Sequence, residues 1–262
     1  MPEALDPGLP RLSWRWLPVW RRNVRVWRKL AGPALVGNLG EPLLYLTAFG
    51  YGLGRLIGEV QGIPYAEFLA SGIVCSSAMN TSTFEGLYSA YTRMAVQQTW
   101  VGMLATPVGV EDILVGEIVW AGHKSLISAG AVLLVAALLG LVHSWHALLV
   151  LVIVFLIGAC FGAMALVVTS LASSYDFFLY YFTLVVTPMF LLSGVFFPLE
   201  QMPATVRWVA SWLPLAHGVA VVRPLMSGSA PADLGAHIAV LVGYGLISFY
   251  VATVLCRRRL LG

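Results

Sequence analysis

Few residues of this chain have the type and spacing needed to bind nucleotides or to hydrolyse bonds. A phosphate-binding P-loop needs a Gly-Lys-Ser/Thr run, in which glycine lets backbone amides reach the phosphates. The sequence has two lysines, and Lys29 follows arginine whereas Lys124 follows histidine. His-Glu-x-x-His metal sites and Gly-x-Ser-x-Gly nucleophile turns are missing from it as well. We therefore expect no catalytic residue and no cofactor in this chain, so ATP-driven work would need a separate nucleotide-binding partner.

Acidic residues are spread along the apolar part of the sequence. Glu41, Glu67, Glu85 and Glu117 are too dispersed to indicate a catalytic pair. Glu41 precedes a proline inside the first apolar run, where an acid either lines a polar path or is a structural group bonded to a neighbouring helix. Glu117 lies seven residues before Lys124, hence on the same helix face. We favour a salt bridge between these two that orients the helix.

Histidine and cysteine residues are poorly placed for a metal site. His143 and His146 lie in a short turn between apolar runs, where solvated side chains are the simpler interpretation. Cys75, Cys160 and Cys256 lie in separate apolar runs. An odd, scattered set of this kind indicates neither a disulfide framework nor metal ligands. We predict no metal site.

The composition is that of a membrane protein. The 262 residues are 59% hydrophobic and 10% charged, with a mean hydropathy of +0.85, whereas soluble domains carry about 25% charged residues. The apolar runs are continuous rather than alternating, which indicates membrane helices and not a barrel. The sequence therefore predicts an all-α integral membrane protein.

Six apolar runs are candidates for membrane-spanning helices, each of which needs about 20 residues. They lie near residues 33–54, 65–91, 113–142, 146–171, 177–197 and 234–256. The second run is rich in small and polar residues, which suits close helix packing or the lining of a polar path. We divide the chain into a cytoplasmic tail with an amphipathic helix, 1–31, and one six-helix transmembrane domain, 32–262.

Residues 11–31 are amphipathic at the helical period. Apolar side chains, three tryptophans among them, fall on one half of the helix and arginine or lysine on the other, and only Asn23 is out of place. This pattern indicates a helix in the membrane interface with its cations toward anionic headgroups. A nucleic-acid-binding arm would not need three tryptophans on one stripe, so we expect lipids and not nucleic acid as partners.

The distribution of lysine and arginine predicts the orientation. Residues 11–29 carry seven of them, Arg93 is one and residues 257–259 are three, against Arg55, Arg207 and Arg223 on the other side. The excess places both termini in the cytoplasm. The loop 92–112 is then inside and the segment 198–226 outside.

The segment after the fifth run is broken. It is interrupted at Gly194 and Pro198, and prolines bound two apolar pieces, 204–213 and 215–226, that are too short to span a bilayer. Broken backbone at membrane depth survives only against protein or water. An extracytoplasmic loop and a re-entrant hairpin both fit, and the residue pattern alone favours the loop.

The motifs of the chain resemble those of a known family. The run S-G-V-F-F-P-L-E-Q-M-P…W-L-P-L-A-H…V-V-R, from Ser193 to Arg223, resembles the signature of type-2 ABC-transporter permeases. The runs T-W-V-G-M-L-A-T-P, Thr99–Pro107, and V-E-D-I-L-V-G-E, Val110–Glu117, are also similar to the family's pattern. The similarity covers nearly the whole chain and is greatest to the nodulation branch, which exports lipo-chitooligosaccharides.

The resemblance implies the permease subunit of an ATP-driven exporter in the bacterial inner membrane. Two copies of this chain would work with two ABC ATPase subunits that hold ATP and Mg²⁺, and the substrate would be a lipo-oligosaccharide or lipid-linked polysaccharide. The loop 92–112 would dock on the ATPase through Thr99, Trp100, Met103, Leu104, Thr106, Pro107, Glu111 and Asp112. The small-residue faces of spans one, two and five would line the path, with candidates Glu41, Tyr45, Ser76, Asn80, Thr83, Tyr181 and Thr187. The segment 198–226 would be a re-entrant hairpin between helices 5 and 6, and the gate residues would be Gly194, Phe197, Pro198, Pro203, Pro214, His217 and Arg223.

Two other classes of function remain as alternatives. A polytopic membrane enzyme modifying lipid-linked substrates would use Glu41 or His217, and would turn over substrate without a partner. A channel would conduct without ATP, but the sequence lacks a run of filter-like carbonyls or a ring of repeated acids.

Overall fold

The fold is mostly helical in the computed structural model, which describes residues 10, 12–29, 31–32, 40 and 42–262. The α-helices of the described residues are α1 (Trp16–Arg28), α2 (Gly54–Ile57), α3 (Tyr65–Phe84), α4 (Thr99–Leu104), α5 (Val110–Leu138), α6 (Val150–Leu171), α7 (Asp176–Tyr181), α8 (Thr187–Leu192), α9 (Ala204–Ala210), α10 (Pro214–Ser227) and α11 (Leu234–Leu261). π-Helical turns occur at Leu46–Leu53, Glu85–Ser89, Thr92–Val96 and Phe182–Val186, and short 3-10 helices at Trp145–Leu149 and Leu199–Gln201. The strands β1 (Glu59–Val60) and β2 (Ile63–Pro64) pair antiparallel.

Three helices in the described part of the chain are long and apolar enough to cross a membrane. They are Val110–Leu138, Ala147–Leu171 and Leu234–Leu261, at the positions of the predicted third, fourth and sixth spans. The bent pair α9 and α10, which meet at 89°, makes a fourth if the two are taken as one span. The chain is therefore an all-α protein with membrane-capable helices, as predicted. The full set of six spans stays a prediction, and residues 33–39 of the first run lie outside the described residues.

The predicted fifth span is shorter than the run 177–197. Its apolar helix covers Asp176–Leu192 with a π-helical turn inside it. The helix ends there because Gly194 adopts a φ of +74°, a left-handed conformation that glycine tolerates and that turns the chain away.

Helix α3 lies at the centre of the described fold and packs against α5, α6 and α10. Most of its polar side chains are buried, and several of them bond to backbone or to a hydroxyl of a neighbouring helix. Ser82 Oγ donates to Ala78 O at 2.8 Å, and the hydroxyls of Ser77 and Ser128 are 3.1 Å apart. Ser125 Oγ of α5 donates to Ala78 O at 2.9 Å. A polar helix is therefore stable here because protein covers it, which agrees with the close packing expected from its small residues.

The backbone at Val195 lies so close to Gly72 of α3 that a larger residue at position 72 would not fit. A Cβ at Gly72 would lie 2.8 Å from Val195 Cα, and backbone cannot move aside as a flexible side chain can. We expect Gly72→Ala to lower the free energy of unfolding by about 1–3 kcal/mol, as overpacking does. The measurement is denaturation with sodium dodecyl sulfate in mixed micelles. The matched control is Gly243→Ala in α11, where a Cβ meets no atom of the described part of the chain within 4 Å. Equal stability of the two variants would contradict the close packing of Gly72 against Val195.

Helix α1 packs its apolar stripe against α5. Val19 is 2% exposed and lies where a Cβ on Gly116 would approach it to 2.7 Å. The Trp27 and Trp120 rings meet edge to face with centroids 6.1 Å apart. Asn23, the exception in the sequence pattern, is 2% exposed. The stripe thus faces protein in the described structure, and the interfacial position of α1 stays a prediction.

Candidate functional site

A buried ion network joins the end of α3 to α5. Arg93 Nη2 lies 2.8 Å from Glu85 Oε1 and 2.5 Å from Glu117 Oε2, and Lys124 Nζ lies 2.7 Å from Glu85 Oε2. The carboxylate side chains are 4% and 2% exposed and the two cations 12% and 19%. Two acids and two bases make the network neutral, which is the condition under which buried charges are tolerated.

The predicted salt bridge between Glu117 and Lys124 is wrong. Each binds a residue of the α3 extension instead, Glu117 to Arg93 and Lys124 to Glu85. Seven residues of helix rise about 10 Å, which is a long reach for two side chains on one face. Arg93 lies 2.5 Å from Glu117 and Glu85 lies 2.7 Å from Lys124, so each of the two groups has a nearer partner.

The network is connected to α4 through an indole. Trp100 is 1% exposed, and its Nε1 donates to Glu117 Oε1 at 3.3 Å. Trp120 Nε1 donates to Glu85 Oε1 at 2.9 Å, so both carboxylates accept from a cation and a tryptophan. Glu117 of α5 thus bonds both to Trp100 of α4 and to Arg93, which follows α3. A displacement of α4 would therefore change the contacts of the Glu117 carboxylate.

Burial and the neighbouring carboxylates act in opposite directions on Arg93. Burial disfavours its charged form, but Glu117 and Glu85 outweigh that effect and raise the pKa of the guanidinium above its ordinary value. Arg93 therefore stays charged at every physiological pH.

The predicted coupling residues fall into three groups. Trp100 is buried, Thr99, Met103 and Leu104 are half-buried, and Thr106 and Pro107 are exposed at the turn after α4. The helix ends before Pro107, as the sequence predicts. The apolar residue of α4 that points away from the protein is Val101, whose side chain is 51% exposed. Val101 was not among the predicted coupling residues.

Glu111 and Asp112 hold the chain ends near α4. Asp112 accepts from Ser13 Oγ at 2.7 Å and from the Gly109 amide at 3.0 Å, which caps the start of α5. Glu111 accepts from Arg257 Nε at 3.1 Å. Both acids are buried in the first turn of α5, and they tie the N-terminal segment and the end of α11 to that helix.

Three of the predicted path residues meet at one cavity. Tyr45, Ser76 and Asn80 line a cavity of about 160 Å³ together with Phe190 and Lys124. Its lining is a row of α3 polar side chains facing aromatic rings.

The other path candidates do not line this cavity. Thr83 is buried and its hydroxyl has no partner among the residues that the structure describes, Tyr181 is half-buried against the core, and Thr187 is exposed on α8. Glu41 lies outside the described residues.

Among the predicted gate residues, Arg223 of α10 makes hydrogen bonds and a cation–π contact that connect α10 to α3. Its Nε donates to Ser71 Oγ at 3.0 Å, its Nη2 donates to Gly194 O at 2.7 Å, and its guanidinium lies 3.6 Å from the centre of the Phe68 ring. The neighbouring His217 Nδ1 is 2.7 Å from His237 Nδ1 of α11.

The remaining gate residues are proline and phenylalanine at the breaks. Phe197 is 57% exposed whereas Pro198 is buried. Pro203 precedes α9 and Pro214 begins α10, so each short helix starts at a proline as the sequence indicates.

The sequence analysis missed the roles of Glu85 and Arg93. A signal was available, because a charged residue in or beside an apolar run needs a partner. Four acids and two bases occur between residues 85 and 124, and pairing the two bases with Glu85 and Glu117 across helices would have suggested the network.

Comparison with known proteins defines the class of this fold and site. Residues 16–226 match the model of the ABC-2 type transporter membrane family. The chain belongs to this family and is an ABC transporter membrane subunit of the bacterial inner membrane. The family implies an ABC ATPase as partner, and its members are generally not catalytic themselves.

The relatives narrow this class further. The chain is 44% identical over 254 residues to nodulation protein J of Rhizobium meliloti, with 97% of each chain covered. It is 43% identical over 261 residues to nodulation protein J of Bradyrhizobium diazoefficiens, with 100% of each covered. It is also similar to the inner membrane transport permease YadH of Escherichia coli, at 24% identity over 236 residues, which are 89% of this chain and 90% of YadH.

Proposed function

We propose that this chain is the permease of an ATP-driven exporter and that α4 is the element through which a separate ATPase drives it. Two copies of the chain form the path, two ATPase subunits bind ATP and Mg²⁺ on the cytoplasmic side, and both termini are cytoplasmic. The observation that carries this proposal is the two-sided character of α4. Val101 is 51% exposed on one side, and Trp100 on the other is buried against the ion network.

The contacts of α4 support transmission of a movement into the membrane helices. A helix of six residues is short and stiff, and a docked ATPase would displace it as a unit. Trp100 would carry that displacement to Glu117, and the network would carry it to α5 and to the extension of α3. Lys124 of α5 and several residues of α3, Ser76 and Asn80 among them, line the cavity that is the proposed path.

The proposed substrate is amphipathic, a lipo-oligosaccharide of the kind implied by the nodulation branch or a lipid-linked polysaccharide. The cavity beside α3 supports this class because it offers hydroxyl and amide groups next to Tyr45 and Phe190. Hydroxyls and amides suit sugar hydroxyls, and aromatic rings suit acyl chains or sugar faces.

Six spans and an outer re-entrant hairpin complete the proposal. α3 supplies the second span, its lipid exposure reduced by the second copy, and the 89° bend between α9 and α10 suits a hairpin that enters and leaves on one side. Arg223 would hold that hairpin on α3 as the outer closure of the path.

The test of docking is Val101→Asp. A charge placed in an apolar contact should weaken ATPase binding about tenfold or more, since central interface residues contribute more than 1.4 kcal/mol. Binding is measured by co-purification and by titration of purified ATPase onto the detergent-solubilised chain. Val209→Asp, a similarly exposed valine on α9 at the proposed outer side, should bind normally. Normal binding by Val101→Asp, or an equal loss in both variants, would overturn the assignment of α4.

A further inference from the structure

A second cavity lies between α1 and the ion network. It has a volume of about 320 Å³, and its lining includes Arg22, Asn23 and Trp27 from α1 and Arg93, Lys124 and Trp120 from the network side. It is separate from the cavity lined by Ser76 and Asn80, although Lys124 borders both.

The α1 side of this cavity carries unpartnered donors. Asn23 Nδ2 and Trp27 Nε1 are buried atoms with no hydrogen-bond partner within the described residues. Asn23 as a whole is 2% exposed. A buried donor without a partner costs about 1–3 kcal/mol, so folded proteins seldom leave one unused. Both groups are N–H donors, and the missing partner must therefore be an acceptor.

The charge around the cavity is positive, and it therefore favours an acceptor that is an anion. Arg22 is half-buried and has no carboxylate within 4.0 Å among the residues that the structure describes, and its Nη1 donates to Asn23 Oδ1 at 3.0 Å. Burial and the nearby Arg93 lower the pKa of Arg22, and together they outweigh the carboxylate of Glu117, which raises it. An anion in the cavity would reverse that balance.

The acid in the lining does not cancel this charge. Glu85 borders the cavity, but its oxygens accept from Arg93, Trp120 and Lys124. With Glu117, it neutralises the two cations of the network. Arg22 is left as the surplus positive charge, next to two donors that need an acceptor.

We propose that this cavity binds a phosphate group, with Arg22 as its counter-charge and the Asn23 amide and Trp27 indole as hydrogen-bond donors. A phosphate oxygen accepts from guanidinium, amide and indole donors together. The source favoured by the surroundings is the phosphodiester of an anionic membrane lipid, because Val26 and Trp120 add apolar surface beside the donors. This inference does not depend on the proposed export function.

The experiment uses the purified full chain in a neutral detergent and two arms. In one arm phosphatidylglycerol is added, and retained lipid is counted by native mass spectrometry. In the other, inorganic phosphate competes for the bound lipid. Arg22→Gln should weaken lipid retention about tenfold, as expected when a charged hydrogen bond is lost. Arg25→Gln, an exposed cation on the same helix that does not line the cavity, should retain lipid normally. Displacement of lipid by inorganic phosphate, or binding of phosphate alone, assigns the site to the phosphate group itself.

A second variant separates binding from folding. Asn23→Leu removes the unpartnered Nδ2 donor together with the Oδ1 that accepts from Arg22, and it fills their place with apolar volume, so the lipid-free chain should be about as stable as wild type. The same variant should lose the thermal stabilisation that phosphatidylglycerol gives to wild type. Lipid retention that is equal in wild type, Arg22→Gln and Asn23→Leu would overturn the proposal, as would an equal loss in Arg22→Gln and Arg25→Gln. Absence of any lipid or phosphate binding would overturn it too, and would leave water as the partner of these donors.

Discussion

Replacement of Glu85 by alanine is expected to lower the free energy of unfolding by about 3–5 kcal/mol, the effect seen when one partner of a buried ion pair is removed. Glu85 accepts from Arg93, Lys124 and Trp120, and its side chain is 4% exposed. The variant leaves Lys124 without a carboxylate and Arg93 with one instead of two. The measurement is unfolding by sodium dodecyl sulfate in mixed micelles, and Glu59→Ala, an exposed acid, is the control that should change little.

A charge-balanced double variant tests the cause of this loss. Glu85→Gln together with Lys124→Gln removes one acid and one base, so the pair of Arg93 and Glu117 remains neutral. We expect the double variant to be more stable than Glu85→Gln alone, because no unpaired cation stays buried. A double variant that is less stable by the sum of its two single changes would show that the four groups do not act as one network.

Replacement of Trp100 by alanine is expected to lower the free energy of unfolding by about 3–5 kcal/mol, as for other buried tryptophans. It should also abolish stimulation of the partner ATPase, because α4 would lose its contact with Glu117. Trp100→Phe keeps most of the buried surface and removes only the indole donor. We expect it to lose about 1–3 kcal/mol, the cost of leaving an acceptor short of one partner.

Comparison of the loss of stability with the loss of ATPase stimulation distinguishes a packing role of Trp100 from a coupling role. Trp208→Ala, at a tryptophan that is 67% exposed, should change stability by less than about 0.5 kcal/mol and leave ATPase stimulation normal. If Trp100→Phe folds as well as wild type and stimulates the ATPase normally, the indole bond to Glu117 has no part in transmission.

The sequence predicted those elements whose cause is local. Continuous apolar runs predicted three of the long helices, and prolines predicted the starts of α9 and α10, because these signals act within a few residues. The helical period also separated an apolar from a basic face of α1, with Asn23 as the one exception, but it did not predict that α5 would pack against the apolar face. The structure gives that exception a reason, since Asn23 is buried and lines the cavity beside the network.

The sequence could not predict contacts that cross between helices. Spacing along one helix suggested that Glu117 pairs with Lys124, but the pairing is decided by Arg93, which the chain brings back beside α5 after the end of α3. The role of Val101 could not be predicted either, because it also depends on contacts between helices. Its exposure depends on which side of α4 Trp100 occupies, and that side is set by the ion network.

The central claim is that this chain moves its substrate only when a separate ATPase drives it through α4. The most direct measurement is uptake of a labelled lipo-oligosaccharide into inside-out proteoliposomes containing the purified chain and its ATPase. We predict uptake that requires ATP, the active ATPase and an intact Val101 surface, with none for the chain alone. Equal uptake with a hydrolysis-deficient ATPase, or chemical conversion of the substrate by the chain alone, would contradict the account.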